Sequence, residues 1–321
     1  MSTAYSPGSG DDPSLKKPLA LIAGPTASGK SALAVDLALA LQARGRAVAV
    51  VNADSAQVYA DLAILSARPD ESEMRGVPHL LFGAWDGADA CSAAQWADAA
   101  KREIARLHAD DAVPILCGGT GLYLRTLLDG IAPIPEIDPA VRTGVRALAT
   151  ADARTALERE DPQAAKRLSP NDTARTQRAL EVVRSTKRTL AEWQGRKEGG
   201  IGDAVTLHPL ILLPDREWLY ERCDRRFGQM IDRGAIGEVE ALLARKLDPA
   251  LPVMRAIGVP ELAGVLRGET TLEDAAEEAR RATRNYAKRQ FTWFRRQPPE
   301  DWPRIADPVA DVEDLFRTLL N

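Results

Sequence analysis

Short, mostly apolar segments alternate along the chain with stretches in which apolar residues recur every three or four positions. The apolar segments are residues 19–23, 47–51, 113–117 and 207–213. Helical spacing follows the first of them through Leu33, Leu37 and Leu41, and follows the third over residues 122–128. Buried strands that alternate with helices are typical of a parallel sheet covered on both faces. We therefore predict an α/β fold built on a doubly wound parallel sheet.

The hydrophobic pattern changes after Gly130. Residues 131–135 have the composition of a linker, and the Ala-, Leu- and Arg-rich residues that follow keep a helical period to about Gln194. We expect a core formed by residues 18–138 and 203–321, interrupted by a helical insertion at 139–202. Residues 1–17 are rich in Ser, Gly, Pro and Asp and lack the apolar stretch of a signal peptide. We expect them to form a disordered leader.

The distribution of charge indicates a polyanionic partner. The net charge is -4, which taken alone argues against a nucleic acid. Residues 280–296, however, contain seven Lys or Arg and no acidic residue, and residues 139–200 contain thirteen Lys or Arg against eight Asp or Glu. No apolar run reaches the ~18 residues of a membrane span. The three cysteines form no CxxC pair, which favours a reducing cytoplasm over a disulfide framework or a zinc site.

The turn after the first apolar segment carries the P-loop pattern Gly24-x-x-x-x-Gly29-Lys30-Ser31. Backbone N–H groups of such a loop surround phosphate oxygens, the lysine adds positive charge, and the Ser31 hydroxyl can ligate Mg²⁺. Because the pattern lies between a predicted strand and a predicted helix, we predict phosphate binding by a P-loop NTPase-like core. The segment 113–117 runs into the glycine loop 118–121 and not into an Asp that would help to hold Mg²⁺. This weakens the ATPase interpretation and leaves ATP binding open.

A carboxylate follows the second apolar segment. Asp54, with Ser55 and Gln57 after it, ends a predicted strand at the edge of the sheet where the P-loop begins. There it can act as a general base or support the ligands of a metal ion. Equally, it can be the N-cap of a helix that follows. The glycine loop is open to two interpretations as well, a close approach to a ligand or a plain turn into a helix.

The basic segment 280–296 has two faces when it is drawn as a helix. Aromatic residues, among them Tyr286, Phe291 and Trp293, share one arc. The opposite arc consists of Arg281, Arg284, Lys288, Arg289, Arg295 and Arg296. A face that only contacts solvent usually mixes basic and acidic side chains. We therefore interpret this arc as a phosphate-binding face and keep a merely solvated helix as the alternative.

These motifs together resemble the bacterial tRNA dimethylallyltransferase (tRNA isopentenyltransferase) family. The resemblance rests on GPTASGKS at 24–31, Asp54-Ser55 with Tyr59, SAA at 92–94, GGTGLYLRTLLDG at 118–130, DPxxAxRLSPND at 161–172, RALEV at 178–182, RAIG at 255–258 and ATRNYAKRQFTWFR at 282–295. It implies transfer of a dimethylallyl group from dimethylallyl diphosphate to N6 of adenosine 37, next to the anticodon. The substrates would be tRNAs that read codons beginning with U, and the enzyme a cytoplasmic monomer that uses Mg²⁺.

The resemblance also implies roles for individual residues. Catalysis would involve Asp54, Lys30 and Thr120, with Asp54 as the base for the adenine amine. The diphosphate would be bound by Gly24, Pro25, Thr26, Ala27, Ser28, Gly29, Lys30 and Ser31, with Ser31 also on the metal. The tRNA would be bound by Asp54, Ser55, Ala56, Gln57, Thr120, Arg142, Ala174, Arg175, Thr176, Gln177, Arg178, Arg255, Ala256, Ile257, Gly258, Lys288, Arg289 and Arg295. To these the basic arc of segment 280–296 adds Arg281 and Arg284. The helical insertion would hold the anticodon stem-loop.

Two segments depart from the family pattern. Residues 65–69 are Leu-Ser-Ala-Arg-Pro where the family has Gly-Thr-Ala-Lys-Pro, and Lys and Arg differ in phosphate geometry. Residues 257–260 are Ile-Gly-Val-Pro where the family has Ile-Gly-Tyr-Lys. Three alternatives remain beside the transferase. They are an adenylate dimethylallyltransferase, which needs neither basic face, a small-molecule kinase that uses ATP, and an RNA-binding P-loop protein without enzymatic activity.

Overall fold

The computed structural model of the chain describes residues 16–307 and 309–321. Its strands are β1 (Lys17–Ala23), β2 (Val48–Asn52), β3 (His79–Leu80), β4 (Val113–Gly118), β5 (Val205–Leu212) and β6 (Arg304–Ile305). They form one parallel sheet in the order β3-β2-β4-β1-β5-β6. The predicted leader, residues 1–17, lies outside the described residues except for its last two. Lys17 is already the first residue of β1.

The sheet confirms the predicted doubly wound α/β fold. Strands β1, β2 and β4 are the predicted apolar segments, and nearly all of their residues are buried. After β1 the chain passes to β2 and β3, returns through β4, and only then crosses to β5 on the other side of β1. This reversal of direction leaves a crevice beyond the carboxyl ends of the central strands, where such sheets bind ligands. The edge strands β3 and β6 are two residues long, too short for a periodicity to predict them.

The helices connect the strands and carry the C-terminal half of the chain. They are α1 (Lys30–Ala43), α2 (Glu71–Met74), α3 (Ala93–Ala109), α4 (Gly121–Asp129), α5 (Pro139–Arg146), α6 (Thr150–Glu160), α7 (Pro162–Arg167), α8 (Thr173–Thr186), α9 (Leu190–Gln194), α10 (Arg216–Asp232), α11 (Ala235–Ala244), α12 (Val259–Leu266), α13 (Leu272–Arg296), α14 (Val312–Leu315) and α15 (Arg317–Leu320). Helix α13 is capped by Thr271, whose hydroxyl accepts from the Asp274 N–H, and it has Arg295 and Arg296 in its last turn. Within residues 16–307 and 309–321, no helix is both long and apolar enough to cross a membrane.

The residues group into two compact units. The first runs to Leu124 and resumes with Gly202–Asn321, and it contains the sheet. In its core, α1 packs on the strands through Leu33, Leu37 and Leu41. The second unit is Arg125–Ile201 and has its own small core, built around Val145, Leu157 and Leu180.

Candidate functional site

The P-loop connects the end of β1 to the start of α1. Gly29, just before the helix, has a φ of 98°, a left-handed conformation that costs glycine little and other residues more. Because α1 starts immediately after this turn, its first backbone N–H groups and the positive end of its dipole face the loop. The loop therefore has the geometry of a phosphate-binding site.

Two side chains of the loop are buried without a charged partner. The Lys30 ammonium donates to the Pro25 carbonyl at 3.2 Å, and among the described residues no carboxylate forms an ion pair with it. Burial lowers the pKa of Lys30, while the negative charge of Asp54 acts in the opposite direction. The Ser28 hydroxyl is fully buried and has no hydrogen-bond partner within the described part of the chain. Both groups would gain a partner from a bound anion, so the loop fits a phosphate or diphosphate.

Asp54 lies beyond β2 and is held by its neighbour Asn52. The Asn52 Oδ1 accepts from the Asp54 N–H at 2.8 Å, and its Nδ2 donates to the Asp54 and Leu81 carbonyls, both at 3.1 Å. The Asp54 Oδ1 accepts from the Ala56 N–H at 2.9 Å, so one carboxylate oxygen caps a turn. No helix follows directly, which corrects the helix-cap alternative to a turn cap. The turn cap uses one oxygen and leaves the other available for chemistry.

Thr120, in the glycine loop after β4, joins this loop to the segment after β2. Its N–H donates to the Ala53 carbonyl at 3.1 Å, its Oγ1 accepts from the Ser55 N–H at 2.9 Å, and the hydroxyl lies 3.2 Å from the Ser55 hydroxyl. Three of the predicted site residues, Asp54, Ser55 and Thr120, are thus brought together at the carboxyl end of the sheet. The glycine loop packs closely against the P-loop, because a Cβ at Gly119 would lie 2.9 Å from the Gly24 carbonyl oxygen.

Two cavities meet at Asp54. The larger, of about 580 Å³, is lined by the P-loop and by many basic side chains, and the smaller, of about 370 Å³, has mostly apolar and aromatic walls. We call them the phosphate cavity and the apolar cavity. The basic residues of the phosphate cavity are Lys30, Arg68, Arg75, Arg222, Arg225, Arg226 and Arg233. The apolar cavity includes Tyr59, Leu65, Cys91, Cys223, Phe227, Met230, Ile257 and Tyr286. Only a few residues line both, and Asp54, Thr26 and Arg226 are among them.

Arg226 of α10 is a site residue that the motifs do not reveal. Its Nη1 lies 3.4 Å from the Thr26 hydroxyl, and its Nη2 donates to the Ala67 carbonyl at 3.3 Å. Burial lowers the pKa of Arg226, with the Asp54 charge acting against this, and among the described residues it has no ion-paired carboxylate. A half-buried guanidinium without a counter-ion fits an anionic ligand. In the sequence, only the four-residue spacing of Arg222 and Arg226, which places both on the same face of a helix, could have indicated this residue.

Gln290 of α13 is a second such residue. It is buried, and its amide contacts both the P-loop and the glycine loop. Its neighbour Tyr286 lines the apolar cavity. Burial raises the pKa of the Tyr286 hydroxyl and the Asp54 charge raises it further, although the hydroxyls of Thr120 and Ser55 act in the opposite direction. The aromatic arc of the predicted helix therefore faces the site.

The basic arc of α13 is partly neutralised. Segment 280–296 contains no acidic residue, but Glu277 and Glu278 lie one turn before it on the same helix. Their ion pairs with basic residues of the arc correct the expectation of an arc without acids. Arg284 pairs with Asp224 at 2.7 Å and with Glu277 at 2.9 Å. Arg281 pairs with Glu278 at 3.5 Å. Four other basic residues are exposed and form no ion pair within the described residues, namely Lys288, Arg289, Arg295 and Arg296.

Some of the remaining predicted tRNA residues belong to the first unit, where most of them line the two cavities, and the others belong to the second unit. Arg255, Ala256 and Ile257 line the apolar cavity, and Gly258 follows them with a φ of 97°. Ala56 and Gln57 follow Asp54 in its turn and line the apolar and the phosphate cavity respectively. Arg142 and Ala174–Arg178 belong to the second unit, on α5 and α8. There Thr176 is buried, while Ala174 and Arg175 are exposed and Gln177 and Arg178 are half-buried.

A P-loop that follows the central strand of a doubly wound parallel sheet places this chain in the class of P-loop NTPase-like α/β proteins. Within that class, the chain belongs to the IPP transferase family, whose sequence profile matches residues 57–297. The tRNA dimethylallyltransferase of Erythrobacter litoralis is 69% identical over 306 residues, which cover 95% of this chain and 96% of that protein. The family predicted from the motifs is confirmed.

Solved structures agree with this assignment. The full-length tRNA isopentenylpyrophosphate transferase from Bacillus halodurans superposes with a TM-score of 0.67 at 32% identity, covering 95% of both chains. A eukaryotic dimethylallyltransferase described as acting on tRNA superposes with a TM-score of 0.72 at 28% identity, covering 86% of this chain and 69% of that one. The likeness therefore extends over the sheet and beyond the segment that the profile matches.

Proposed function

We propose that this protein transfers the dimethylallyl group of dimethylallyl diphosphate to N6 of adenosine 37 in tRNAs that read codons beginning with U. The names of its relatives support a tRNA prenyltransferase. The observation that carries the proposal is the position of Asp54, which lines both the phosphate cavity and the apolar cavity. A carboxylate at this junction lies where a prenyl diphosphate would present its reactive carbon.

The phosphate cavity would bind the diphosphate. The backbone N–H groups of the P-loop would donate to its oxygens. Lys30 and Arg226, which form no ion pair with a carboxylate among the described residues, would supply positive charge. Their burial strengthens the attraction, because the surroundings screen charge less than water does. As the allylic C–O bond breaks, charge develops on the leaving diphosphate. The same groups would stabilise that charge and so lower the barrier.

Mg²⁺ fits this arrangement as an ion coordinated by both the protein and the diphosphate. Among the described residues, no cluster of three or more His, Cys, Asp or Glu could hold a metal ion. Mg²⁺, however, commonly keeps several waters and is bound by substrate phosphates with one or two protein oxygens. Ser31, which lines the phosphate cavity, would supply such an oxygen. The bound ion would offset negative charge on the diphosphate.

Asp54 would act as the general base. The exocyclic N6 of adenine is a weak nucleophile, because its lone pair is delocalised into the ring, and the carboxylate would accept its proton as the N–C bond forms. Asn52 holds the backbone of Asp54, and the Ala56 N–H donates to one carboxylate oxygen, which leaves the other oxygen for the amine. Thr120 holds the Asp54–Ser55 segment in place. An adenosine in a stacked anticodon loop would have to turn out of its stack to reach this point.

The exposed basic residues of α13 would bind tRNA phosphates, and the second unit would hold the anticodon stem-loop. Phosphate contacts from Lys288, Arg289 and Arg295 would position the RNA without reading its sequence. Residues Arg175 and Arg178 of α8 would act in the same way in the second unit, where their local partners are Asp172 and Glu181. We infer that the protein works as a monomer in the cytoplasm.

The proposal is tested by incubating the protein with unmodified tRNA, dimethylallyl diphosphate and Mg²⁺, and then analysing the nucleosides by mass. The expected product is one N6-(dimethylallyl)adenosine per accepted tRNA. Adenosine monophosphate offered in place of tRNA tests the adenylate transferase, and labelled ATP with small metabolites tests the kinase. Phosphotransfer without any prenylated nucleoside would refute the proposal.

A further inference from the structure

Residues 62–68 form a tight turn along the wall of the phosphate cavity. Inside it, the Ala67 N–H donates to the Ile64 carbonyl at 2.8 Å and the Arg68 N–H donates to the Ala63 carbonyl at 3.0 Å. As at the start of a helix, the first N–H groups of the turn cannot bond within it. These are the N–H groups of Ala63, Ile64 and Leu65. They need an acceptor from elsewhere in the fold.

Glu238 of α11 supplies that acceptor. Its Oε1 accepts from the N–H groups of Ala63 and Ile64, both at 2.7 Å, and its Oε2 accepts from the Leu65 N–H at 2.9 Å. Hydrogen bonds to an ionised carboxylate are about twice as strong as neutral ones. Since the contact joins residues 173 or more positions apart, it fixes the turn to α11.

The other end of the turn leads to the phosphate cavity. Gln57 Nε2 donates to the carbonyls of Ser66 and Ala67, at 3.1 and 2.9 Å. The Ala67 carbonyl also accepts from Arg226 Nη2 at 3.3 Å. Arg226 has no ion-paired carboxylate in the part of the chain that the structure describes, so carbonyl and hydroxyl acceptors orient it. The position of the turn therefore sets the position of this guanidinium.

We propose that Glu238 is a positioning residue for diphosphate binding. It does not line the cavity itself, and it acts by holding turn 62–68, whose Ala67 carbonyl orients Arg226 toward the P-loop. This proposal rests on the diphosphate site of the proposed function. In a preorganised site, a shift of about 1 Å far from the chemistry can cost on the order of 10²-fold in rate. Loosening the turn is therefore expected to weaken the binding of diphosphate, and to weaken the binding of tRNA less.

The test uses the full chain and inorganic diphosphate with Mg²⁺ as the probe. Glu238→Ala is expected to weaken diphosphate binding, measured by calorimetry, by about tenfold or more. The KM for dimethylallyl diphosphate should rise in step, while the KM for tRNA changes less than about twofold. Glu238→Gln keeps one acceptor oxygen and should fall between the wild type and Glu238→Ala. Glu240→Ala, an exposed residue two positions further along α11, is the matched control and should bind diphosphate normally.

A double-mutant cycle with Arg226→Ala shows whether Glu238 acts through Arg226. In the Arg226→Ala protein, adding Glu238→Ala should weaken diphosphate binding by less than about twofold. Two outcomes overturn the proposal, a Glu238→Ala protein that loses thermal stability but binds diphosphate normally, and fully additive losses in the cycle. If Glu238→Ala does not fold, Glu238→Gln carries the same comparison. The titration needs neither tRNA nor turnover, so a wild type that binds diphosphate but prenylates no tRNA refutes the proposed function and not the role of Glu238.

Discussion

Gln290 of α13 and Thr26 of the P-loop are joined by a hydrogen bond of 2.8 Å across 264 positions of sequence, with the Gln290 Oε1 as acceptor and the Thr26 N–H as donor. The other end of the same amide donates to the Gly119 carbonyl, also at 2.8 Å. The helix that carries the exposed basic residues is therefore fastened to both loops that surround the reaction centre. A buried amide with both ends paired contributes geometry as well as stability.

Gln290→Ala should reduce kcat/KM for dimethylallyl diphosphate by about 10- to 100-fold, because both loops lose a contact that fixes their spacing. Gln290→Glu should be at least as damaging, since it places a carboxylate oxygen against the Gly119 carbonyl and leaves that buried group without a donor. The affinity for tRNA, measured by filter binding, should change far less. Thr292→Ala is the control, because within residues 16–307 and 309–321 its hydroxyl donates only to the Lys288 carbonyl of its own helix. Equal losses from the two alanine variants would contradict the role given to Gln290.

Lys30→Met should raise the melting temperature of the ligand-free protein while abolishing the rise that diphosphate causes. Burial lowers the pKa of Lys30, so the free protein holds an ammonium that its surroundings disfavour, and an apolar chain of similar length removes this cost. With an unfolding entropy of about 2.1 cal/mol/K per residue, a chain of this size gains roughly 1–2 °C for each kcal/mol. Lys101→Met on α3, where the ammonium is already paired with Asp98, is the control.

The same substitution predicts a change in the pH dependence of stability. Because the folded pKa of Lys30 lies below its ordinary value of 10.5, the unfolded chain binds more protons between those two pH values. The contribution of Lys30 to the free energy of unfolding is therefore lowest below its folded pKa, and it rises as the pH increases toward 10.5. In Lys30→Met this rise should be missing from denaturant titrations across the alkaline range. An identical profile in both proteins would show that the lysine is not destabilised in the free state.

Salt dependence separates the free from the paired residues of α13. Lys288→Ala and Arg295→Ala should each reduce the slope of log affinity for tRNA against log salt by about one unit, because each removes one released counter-ion. Arg284→Ala should change the slope less, since Asp224 and Glu277 already neutralise its charge. If Arg284→Ala changed the slope as much as Lys288→Ala, tRNA would have to displace these partners.

How far the sequence predicts this protein depends on the distance over which each signal acts. Strands β1, β2 and β4 are predictable because burial on both faces makes them continuously apolar. The P-loop is predictable because its chemistry needs fixed residue types within eight positions. The position of Asp54 at the carboxyl end of the sheet is predictable from its place after a buried strand, although the turn that it caps is not.

The rest of the site depends on contacts that no local pattern contains. Arg226 reaches Thr26 across 200 positions, and Glu238 reaches turn 62–68 across more than 170. Glu238 does not differ in type or spacing from an ordinary charged residue on a helix surface, and the four-residue spacing of Arg222 and Arg226 places Arg226 on a helix face without indicating the site that this face contacts. The charge of the basic arc is misjudged for a related reason. Asp224, which neutralises Arg284, lies 60 positions away on α10 and cannot be read from a wheel of α13.

Asp54→Asn should lower the single-turnover rate by roughly 10²–10⁴-fold, the usual contribution of a positioned general base. Asparagine keeps the shape of the side chain and the oxygen that accepts from the Ala56 N–H, so the turn is preserved while basicity is lost. Binding of diphosphate and of tRNA should remain close to wild type. Asp36→Asn is the matched control, because Asp36 is an acidic residue at the exposed end of the phosphate cavity and pairs with Arg75 there. If Asp54→Asn kept its rate but needed far more Mg²⁺, Asp54 would support the metal ion, and the proton of the adenine amine would leave by another route.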